Sequence, residues 1–330
     1  MNENKTILDI KHLRTSFFTD EGELKAVNDV NIRVNVHEVV AVVGESGSGK
    51  SVTQLSVMQL IQSPPGKIIG GEVWFGGDNL LTYSQKEMRN IRGNKISMIF
   101  QEPMSALNPV YTVGNQLIEV IRAHNKMTKQ EAWEEGIKAL KAVGIPEPET
   151  RMKNYPFEMS GGMRQRVCIA IAVACHSKLI IADEPTTALD VTTQAQVMEL
   201  LLSLVKEYGT SIIMITHNLG LVARYADRIY VMYAGRIVES GTTEQILTHP
   251  EHPYTKGLLA SVPRLDSDKE ESLIPIKGAP PSLSNLPSYC SFLPRCPYAT
   301  EMCKKSGVPE LQPTEQINHL CACVCNKKEK

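Results

Sequence analysis

The stretch EVVAVVGESGSGKSVTQL, residues 38–55, decides the fold of this chain. Its first half, VVAVVG, is a short apolar run rich in β-branched residues, which predicts a buried strand. Helix-compatible residues follow Ser51, and between the two lies the pattern Gly44-x4-Gly49-Lys50-Ser51. A strand, a glycine-rich loop and a helix in this order are the setting of a phosphate-binding loop. We call residues 44–51 the phosphate loop.

The chemistry of the phosphate loop follows from its residue types. Glycines let consecutive backbone N–H groups point at one anion, and the helix that follows adds the positive end of its dipole. Lys50 reaches the β and γ phosphates, and the Ser51 hydroxyl ligates Mg²⁺. The alternative is a glycine-rich turn that binds nothing, which the full pattern in its strand–loop–helix setting disfavours. The predicted nucleotide-binding residues of this segment are Gly44, Gly47, Gly49, Lys50, Ser51 and Val52.

A second buried strand ends in two acidic residues in LIIADEP, residues 179–185. Asp183 is the last residue of the apolar run and is predicted to hold Mg²⁺. The phosphate loop is predicted to bind the ATP that this ion accompanies. Glu184 follows directly, where it can orient or deprotonate an attacking water. Charged pairs more often lie on solvated faces, but here the pair ends an apolar strand in a chain that has a phosphate loop.

A second candidate anion site lies in EMSGGMRQRVCIAIAVA, residues 158–174. Ser160, Gly161 and Gly162 stand at the start of a long helical pattern, where backbone amides and the helix dipole favour an anion. One chain cannot easily point two such sites at one nucleotide. A head-to-tail dimer can, and we therefore expect two such chains to form one.

This segment resembles the signature motif of ABC-transporter ATPases, and the other motifs of that family follow in order. Phe17 matches the aromatic residue that stacks on adenine, although Phe18 adjoins it and the strand register decides which one faces the nucleotide. Gln101 matches the Q-loop glutamine, a catalytic and Mg²⁺-binding residue. Asp190 matches the aspartate of the D-loop, TALD. His217 matches the switch histidine that contacts the γ phosphate.

The resemblance implies an α/β fold: a P-loop NTPase core with an antiparallel β subdomain and a helical signature subdomain. The cassette is expected at residues 1–262, with its helical subdomain at about 104–176. A small, irregular, cysteine-rich tail is expected at residues 263–330. Apolar residues at helical spacing predict helices at 113–124 and 129–144.

Composition and charge limit where in the cell the protein is expected and which partners it is expected to bind. Lys+Arg is 35 and Asp+Glu is 36, so the formal net charge is -1 and nucleic acid is not an expected partner. The start, MNENKTILDI, does not have the pattern of a secretory signal. The longest apolar run, VCIAIAVAC, is far shorter than the roughly 18 residues that span a bilayer. We expect a peripheral protein at the cytoplasmic face of the cell membrane.

Three further stretches resemble the peptide and nickel importers of the family. They are QEPMSALNP (101–109), FFTDEGELKAVNDV (17–30) and HPYTKGLLASVPRL (252–265). The resemblance implies an ATPase that powers uptake of di- or oligopeptides. Its implied partners are a sister ATPase or a second copy, two integral-membrane permease subunits and, indirectly, an extracytoplasmic peptide-binding protein. Import of nickel or another small solute is the nearest alternative.

The tail contains CSFLPRCPYATEMC, residues 290–303, and then HLCACVC. Peptide-importer ATPases have a similar tail, and the resemblance implies a [4Fe–4S] cluster with zinc as the alternative. Reduced cysteines packed without metal are a third possibility. The implied ligands are Cys290, Cys296, Cys303 and Cys323, with Cys321 and Cys325 as extra thiols that leave the fourth ligand open.

Two hypotheses come from other classes of protein. A soluble ABC ATPase of DNA repair or translation usually has two cassettes or a coiled-coil insertion, and this chain shows one cassette and no long heptad array. An inactive, regulatory ATPase would not need Lys50, Asp183 and Glu184, which are all present.

Overall fold

The computed structural model describes residues 5–101, 106–186, 191–261 and 275–325, without the side chains of residues 191 and 192. In that part of the chain the strands are β1 Thr6–Thr19, β2 Gly22–Asn35, β3 Val39–Val43, β4 Gly66–Phe75, β5 Asp78–Asn79, β6 Ile96–Ile99, β7 Leu179–Asp183, β8 Ser211–Ile215, β9 Arg228–Tyr233, β10 Arg236–Thr242, β11 Gln312–Pro313 and β12 Leu320–Cys321. The α-helices are α1 Lys50–Val57, α2 Gln85–Ile91, α3 Val113–His124, α4 Lys129–Ala142, α5 Pro148–Arg151, α6 Gly161–Val173, α7 Val191–Tyr208, α8 Leu219–Tyr225, α9 Thr243–Thr248, α10 Pro253–Ala260 and α11 Glu301–Lys305. Short 3₁₀ helices lie at Leu80–Thr82, Pro156–Glu158 and Leu293–Arg295.

Backbone contacts divide the chain into two compact units. The first unit comprises Met1–Lys5, Asn35–Glu38 and Thr82–Ile215. The second unit comprises Thr6–Val34, Val39–Leu81 and Thr216–Lys330. The cassette boundary predicted at residue 262 lies outside the described residues. Among the helices that are described, none is long and apolar enough to cross a membrane.

The first unit contains a parallel sheet in the order β8-β7-β6 and most of the helices. Every residue of β7 and β8 is buried, as expected for strands of a parallel sheet that are covered on both faces. Helix α3 has the bounds predicted from its apolar spacing, and α4 ends two residues before the predicted end. Helix α4 starts at a capping box in which Thr128 and Glu131 satisfy each other's backbone N–H groups.

The second unit contains two sheets. The first has the order β2-β1-β4-β5, with β1 antiparallel to β4 and β4 to β5. The other has the order β11-β12-β10-β9-β3, in which β3 and β9 are parallel and β9 and β10 form an antiparallel pair around Gly235. The phosphate loop joins β3 to α1, as its apolar run and glycine pattern predicted.

The cysteine-rich tail is more regular than its composition suggested. Residues 275–325 include the short helix α11 and the two-residue strands β11 and β12. Strand β12 pairs with β10 at Glu239 and Ser240, and the Ala322 N–H donates to the Val238 carbonyl at 2.8 Å. The edge of β10 presents N–H and C=O groups that need partners, and the tail supplies them. The tail thereby extends the sheet that positions the phosphate loop.

Candidate functional site

The backbone of the phosphate loop fits only glycine at two positions. A Cβ atom at Gly44 would lie 2.2 Å from the Met232 carbonyl oxygen, and one at Gly49 would lie 2.3 Å from the Ala26 carbonyl oxygen. Both glycines have positive φ angles, 151° and 103°. Gly47 also has a positive φ of 75°, but a Cβ there would meet open space. Close approach of neighbouring strands therefore fixes Gly44 and Gly49, whereas Gly47 serves the turn itself.

The Lys50 ammonium group lies inside the phosphate loop. Its Nζ donates hydrogen bonds to the carbonyl oxygens of Gly44 and Glu45, each at 2.9 Å. Lys50 is the first residue of α1, and its side chain is buried. Ser51 and Val52 continue the first turn of this helix and are half-buried. The geometry thus places a positive charge and a helix N-terminus beside the glycine-rich backbone.

Neighbouring elements of the second unit hold the phosphate loop. The Glu45 N–H donates to the Tyr254 hydroxyl at 2.8 Å, and Tyr254 lies in the first turn of α10. The Gly235 N–H donates to the Ser48 carbonyl at 2.9 Å. A free glycine-rich segment has many accessible conformations, and ordering it on nucleotide binding costs conformational entropy. These hydrogen bonds order the loop beforehand and so reduce that cost.

In the first unit, two predicted catalytic residues lie together. The amide Nε2 of Gln101 donates to Glu184 Oε2 at 3.1 Å, although 83 residues separate them in the sequence. Asp183 is the last residue of β7 and is 5% exposed. Glu184 has a φ of 44°, which is uncommon for a residue other than glycine, and its N–H donates to the Ile215 carbonyl at 2.9 Å. Such held, sparsely populated conformations cluster at functional sites.

The predicted signature residues form an exposed helix N-terminus in the first unit. Ser160 is the N-cap of α6, and its Oγ accepts a hydrogen bond from the Met163 N–H at 3.3 Å. A hydroxyl that accepts one bond can still donate its hydrogen to an anion. A Cβ at Gly161 would meet open space, and one at Gly162 would meet only Thr193 Cγ2 at 3.4 Å. A phosphate could therefore approach this helix end closely.

The remaining predicted residues are distributed along the chain. Phe17 is half-buried in β1 opposite Gly66 of β4, and a Cβ at Gly66 would lie 2.9 Å from Phe17 Cε1, so the glycine makes room for the ring. Phe18 is exposed. His217 is exposed and lies just before helix α8. Asp190 lies outside the described residues.

Five thiols of the tail face one cavity. The cysteines that line it are Cys290, Cys296, Cys303, Cys323 and Cys325. The other lining is mostly apolar and includes Phe292 and Leu293. The sulfur atoms of Cys303 and Cys325 are 3.3 Å apart. Cys321 is buried in β12 and does not line this cavity. Within the described residues, no three Cys, His, Asp or Glu side chains are placed to hold one metal ion.

The protonation of these thiols differs along the cavity. Burial raises the pKa of Cys290 and raises the pKa of Cys296 to about 11. Burial also acts to raise the pKa of Cys303, but hydrogen bonds with Thr300 and Cys325 together outweigh it and the pKa is lowered. Thiolates at Cys290 and Cys296 therefore need a nearby cation, as a bound metal would supply.

A buried pair that the sequence did not indicate anchors the tail. Glu239 of β10 accepts a hydrogen bond from His319 Nε2 at 2.8 Å, and both side chains are fully buried. The same carboxylate accepts the N–H groups of Glu251 at 2.7 Å and His252 at 3.0 Å. Burial acts to raise the pKa of Glu239, but these hydrogen bonds lower it overall. The sequence feature that could have indicated this pair is Glu239 itself, a single carboxylate among the mostly uncharged residues of β10.

Two protein families match this chain. Residues 27–187 match the family described as ABC transporter. Residues 238–303 match the family described as oligopeptide/dipeptide transporter, C-terminal region. The first match contains the phosphate loop, the signature segment and Asp183, and the second begins in β10 and reaches Cys303.

Curated relatives are similar over most of their length. The oligopeptide transport ATP-binding protein OppD of Bacillus subtilis (strain 168) is 53% identical over 296 residues, which cover 90% of this chain and 83% of the relative. OppD of Salmonella typhimurium is 51% identical over 300 residues, which cover 91% and 89%. The alignments therefore extend well beyond the ATPase motifs.

Solved structures confirm the predicted cassette fold. The dimeric post-hydrolysis structure of the ATP-binding cassette MJ0796, bound to ADP and Pi, matches with a TM-score of 0.65 and 27% identity over 72% of this chain and 99% of that one. The structure of cbiO1 from Clostridium perfringens, part of the ABC transporter complex cbiONQ, matches with a TM-score of 0.62 and 27% identity over 74% and 92%.

Proposed function

This chain belongs to the ABC transporter ATP-binding family, in the branch with the oligopeptide/dipeptide C-terminal region, and from that premise we propose that it hydrolyses ATP to import di- or oligopeptides. One observation carries the proposal. The same chain combines the phosphate loop and the Asp183–Glu184 strand end with a region, residues 238–303, that matches the peptide branch and includes the first part of the tail. Nothing in the tail specifically favours nickel import.

The proposed roles in hydrolysis combine the chemistry of each residue with the family motif that it matches. Lys50 and the amides of the phosphate loop bind the phosphates. Ser51, Gln101 and Asp183 supply oxygen ligands of the kind that Mg²⁺ prefers, and that ion would neutralise phosphate charge. Glu184 acts on the attacking water, and its hydrogen bond with Gln101 keeps the carboxylate oriented. Phe17, Asp190 and His217 complete the proposed site.

We assign the exposed N-terminus of α6 to a second cassette. Ser160, Gly161 and Gly162 present a capped helix end with open space around the glycines. Such an end attracts phosphate. The MJ0796 cassette with bound ADP and Pi is a dimer, which supports a dimeric arrangement in this fold. The partner is either a sister ATPase or a second copy of this chain.

The membrane subunits are proposed to contact an aromatic patch of the first unit, formed by Tyr111, Tyr155 and Phe157. Phe157 is 69% exposed and its ring stacks on Tyr155 at 5.5 Å between centroids. The Val113 N–H donates to the Asn154 carbonyl at 2.9 Å, which joins the two segments of the patch. Exposed aromatic patches mark interaction sites. Contact with two permease subunits there would hold the chain at the cytoplasmic face of the membrane, with a peptide-binding protein on the other side.

A mutation of this patch tests the contact. Phe157→Asp removes an aromatic anchor and adds a charge, so we expect loss of co-purification with the permease subunits. ATP affinity of the isolated subunit should not change. Ile317→Asp is the matched control, since Ile317 is 86% exposed and lies outside the patch. Co-purification of the Phe157→Asp protein at the wild-type level would refute the assignment.

The thiol-lined cavity is proposed to hold a [4Fe–4S] cluster. Tetrahedral zinc, with Zn–S bonds of about 2.3 Å, would draw four sulfur atoms to about 3.8 Å from one another. In the described residues no three candidate ligands converge in that way, while five thiols surround one largely apolar cavity. The choice of a cluster over a single ion follows the resemblance of this tail to the tails of peptide-importer ATPases. Cys290, Cys296, Cys303 and Cys323 are the proposed ligands, and Cys325 competes with Cys323 because both line the cavity.

Metal analysis tests this proposal. Protein purified without air should contain about four irons and four acid-labile sulfides per chain, and Cys296→Ser should lose both. Cys321→Ser is the control because its side chain does not line the cavity. One zinc per chain without sulfide would show that the cavity binds zinc and not a cluster. A metal-free protein with an ordered tail would refute both the cluster and the zinc hypotheses.

Transport in proteoliposomes tests the main function. The chain is reconstituted with its permease subunits and ATP inside, and uptake of a labelled dipeptide, a labelled oligopeptide and Ni²⁺ is compared. We expect ATP-dependent uptake of at least one peptide. Uptake of Ni²⁺ alone would overturn the peptide assignment while leaving the ATPase assignment in place.

A further inference from the structure

The side chain of Arg295 joins the cysteine-rich tail to the phosphate loop. Its Nη1 lies 2.7 Å from Glu45 Oε2 and its Nη2 lies 3.0 Å from Glu45 Oε1, which is a bidentate pair. These residues are 250 positions apart. The Arg295 side chain is 4% exposed and that of Glu45 is 28% exposed, so the guanidinium has been removed from water for this contact. Pairs with this fork geometry are the strongest and most specific ones that arginine makes.

The position of Arg295 is fixed on every side. Its five N–H groups match five acceptors, which are the two Glu45 oxygens, the Lys277 and Ile276 carbonyls and the Tyr233 hydroxyl. The guanidinium also lies over the Tyr233 ring, 5.8 Å from its centroid, and over the Phe292 ring at 6.0 Å. An arginine with all of its donors engaged leaves the Glu45 carboxylate little freedom to move.

Glu45 occupies a sensitive place in the phosphate loop. It follows Gly44 directly, its carbonyl accepts a hydrogen bond from Lys50 Nζ, and its N–H is held by Tyr254. A carboxylate in a loop that binds phosphates would repel them. Arg295 neutralises that charge, and it also draws the side chain toward the tail.

The turn that carries Arg295 is also a wall of the thiol-lined cavity. Phe292, Leu293 and Cys296 line that cavity, and the Cys296 N–H donates to the Leu293 carbonyl at 3.2 Å. Arg295 therefore lies in a short, hydrogen-bonded turn with one face on the thiols and its side chain on the loop. A change at the thiols would therefore act on the same turn that holds Glu45.

We infer that Arg295 is a positioning residue that couples the thiol-lined cavity to the nucleotide affinity of the phosphate loop. The inference rests on the proposed function only in taking ATP as the nucleotide. Its readout is the dissociation constant of ATP, so a failure of peptide transport would leave it untouched.

A double-mutant cycle tests the ion pair. Arg295→Gln leaves the Glu45 carboxylate unpaired beside the phosphates, so ATP affinity should fall by about 10-fold, a typical coupling between sites. In the Glu45→Gln background the carboxylate is absent, so adding Arg295→Gln should cause no further loss, and the Glu45→Gln/Arg295→Gln protein should bind ATP as tightly as the Glu45→Gln protein does. Affinity is measured by titration of a fluorescent ATP analogue against the full-length subunit, displaced with ATP.

Controls separate positioning from folding. Arg33→Gln breaks an arginine–carboxylate pair with Asp9, at 3.7 Å, that involves no residue of the phosphate loop, and it should leave ATP affinity at the wild-type level. Arg295→Lys keeps the charge and should fall between wild type and Arg295→Gln. Unchanged affinity in Arg295→Gln, or a loss on adding Arg295→Gln to Glu45→Gln as large as the loss in the wild-type background, overturns the inference.

A second measurement tests the link to the thiols and does not need an Arg295 variant. Cys296→Ser should weaken ATP binding by about 5-fold in the wild-type background, at the low end of typical coupling. The same substitution should have no effect in the Glu45→Gln background, because the charge that it releases is gone. Cys175→Ser, in the first unit, is the control. Equal losses in both backgrounds would show that the cavity acts by another route and overturn the coupling.

Discussion

The histidine at the start of α10 should make the stability of this protein depend on pH. His252 is the N-cap of α10, and its Nδ1 accepts the Tyr254 N–H at 3.1 Å. Its ring packs on Phe292 and borders the thiol-lined cavity, and it is 1% exposed. Burial lowers the pKa of His252 to about 4, although the Glu239 carboxylate acts in the opposite direction.

The direction and size of the effect follow from this shift. The unfolded chain takes up a proton at His252 below about pH 6.5, while the folded chain does so only near pH 4. The stability is therefore complete above pH 6.5 and is lost progressively as the pH falls toward 4. A shift of this size corresponds to about 3 kcal/mol of free energy of unfolding.

Replacing the ring isolates this contribution. Asparagine can accept the same N-cap hydrogen bond but does not titrate, so His252→Asn should flatten the fall in stability between pH 7.5 and 4.5. Urea unfolding followed by circular dichroism gives the free energy at each pH. His249→Asn, an exposed histidine at the end of α9, is the control and should keep the fall that His252 causes.

The difference in free energy of unfolding between the variant and the wild type removes the contribution of carboxylates that titrate in the same pH range, because both proteins contain them. If His252→Asn loses as much stability on acidification as the wild type, then the neutral, buried histidine is not the cause.

Three further predictions concern the nucleotide site. Glu184→Gln should keep ATP binding and reduce turnover by at least about 10²-fold, the low end for a positioned general base, as measured by phosphate release; wild-type turnover would exclude the assigned role. Gly44→Ala should weaken ATP binding far more than Gly47→Ala, since only the first Cβ would meet a backbone oxygen, at 2.2 Å, and equal affinities would contradict this. Ser160→Arg should leave ATP binding to the isolated subunit intact and abolish hydrolysis at the composite site that it serves, measured site by site if the partner is a sister ATPase.

Much of the fold and site follows from local sequence patterns. The apolar run of β3, the glycines after it and Lys50 lie next to one another in the chain, so their spacing alone predicts a strand, a loop and a helix. The helical spacing of residues 113–124 predicted α3 with its observed bounds. Asp183 at the end of an apolar run was readable for the same reason, because a strand buried on both faces is a continuous hydrophobic stretch.

Contacts between distant residues were decided only by the tertiary structure. Gln101 and Glu184, Glu45 and Arg295, and Glu239 and His319 each pair across a long stretch of chain. The spacing of residues predicts which of them share one face of a helix or strand. It does not predict which other helix or strand packs against that face. The sequence by itself determined a phosphate-binding cassette with a thiol-rich tail. Packing of the tail on β10 decided that this tail reaches the phosphate loop, because the open edge of a strand and a buried carboxylate need partners that only a distant segment could supply.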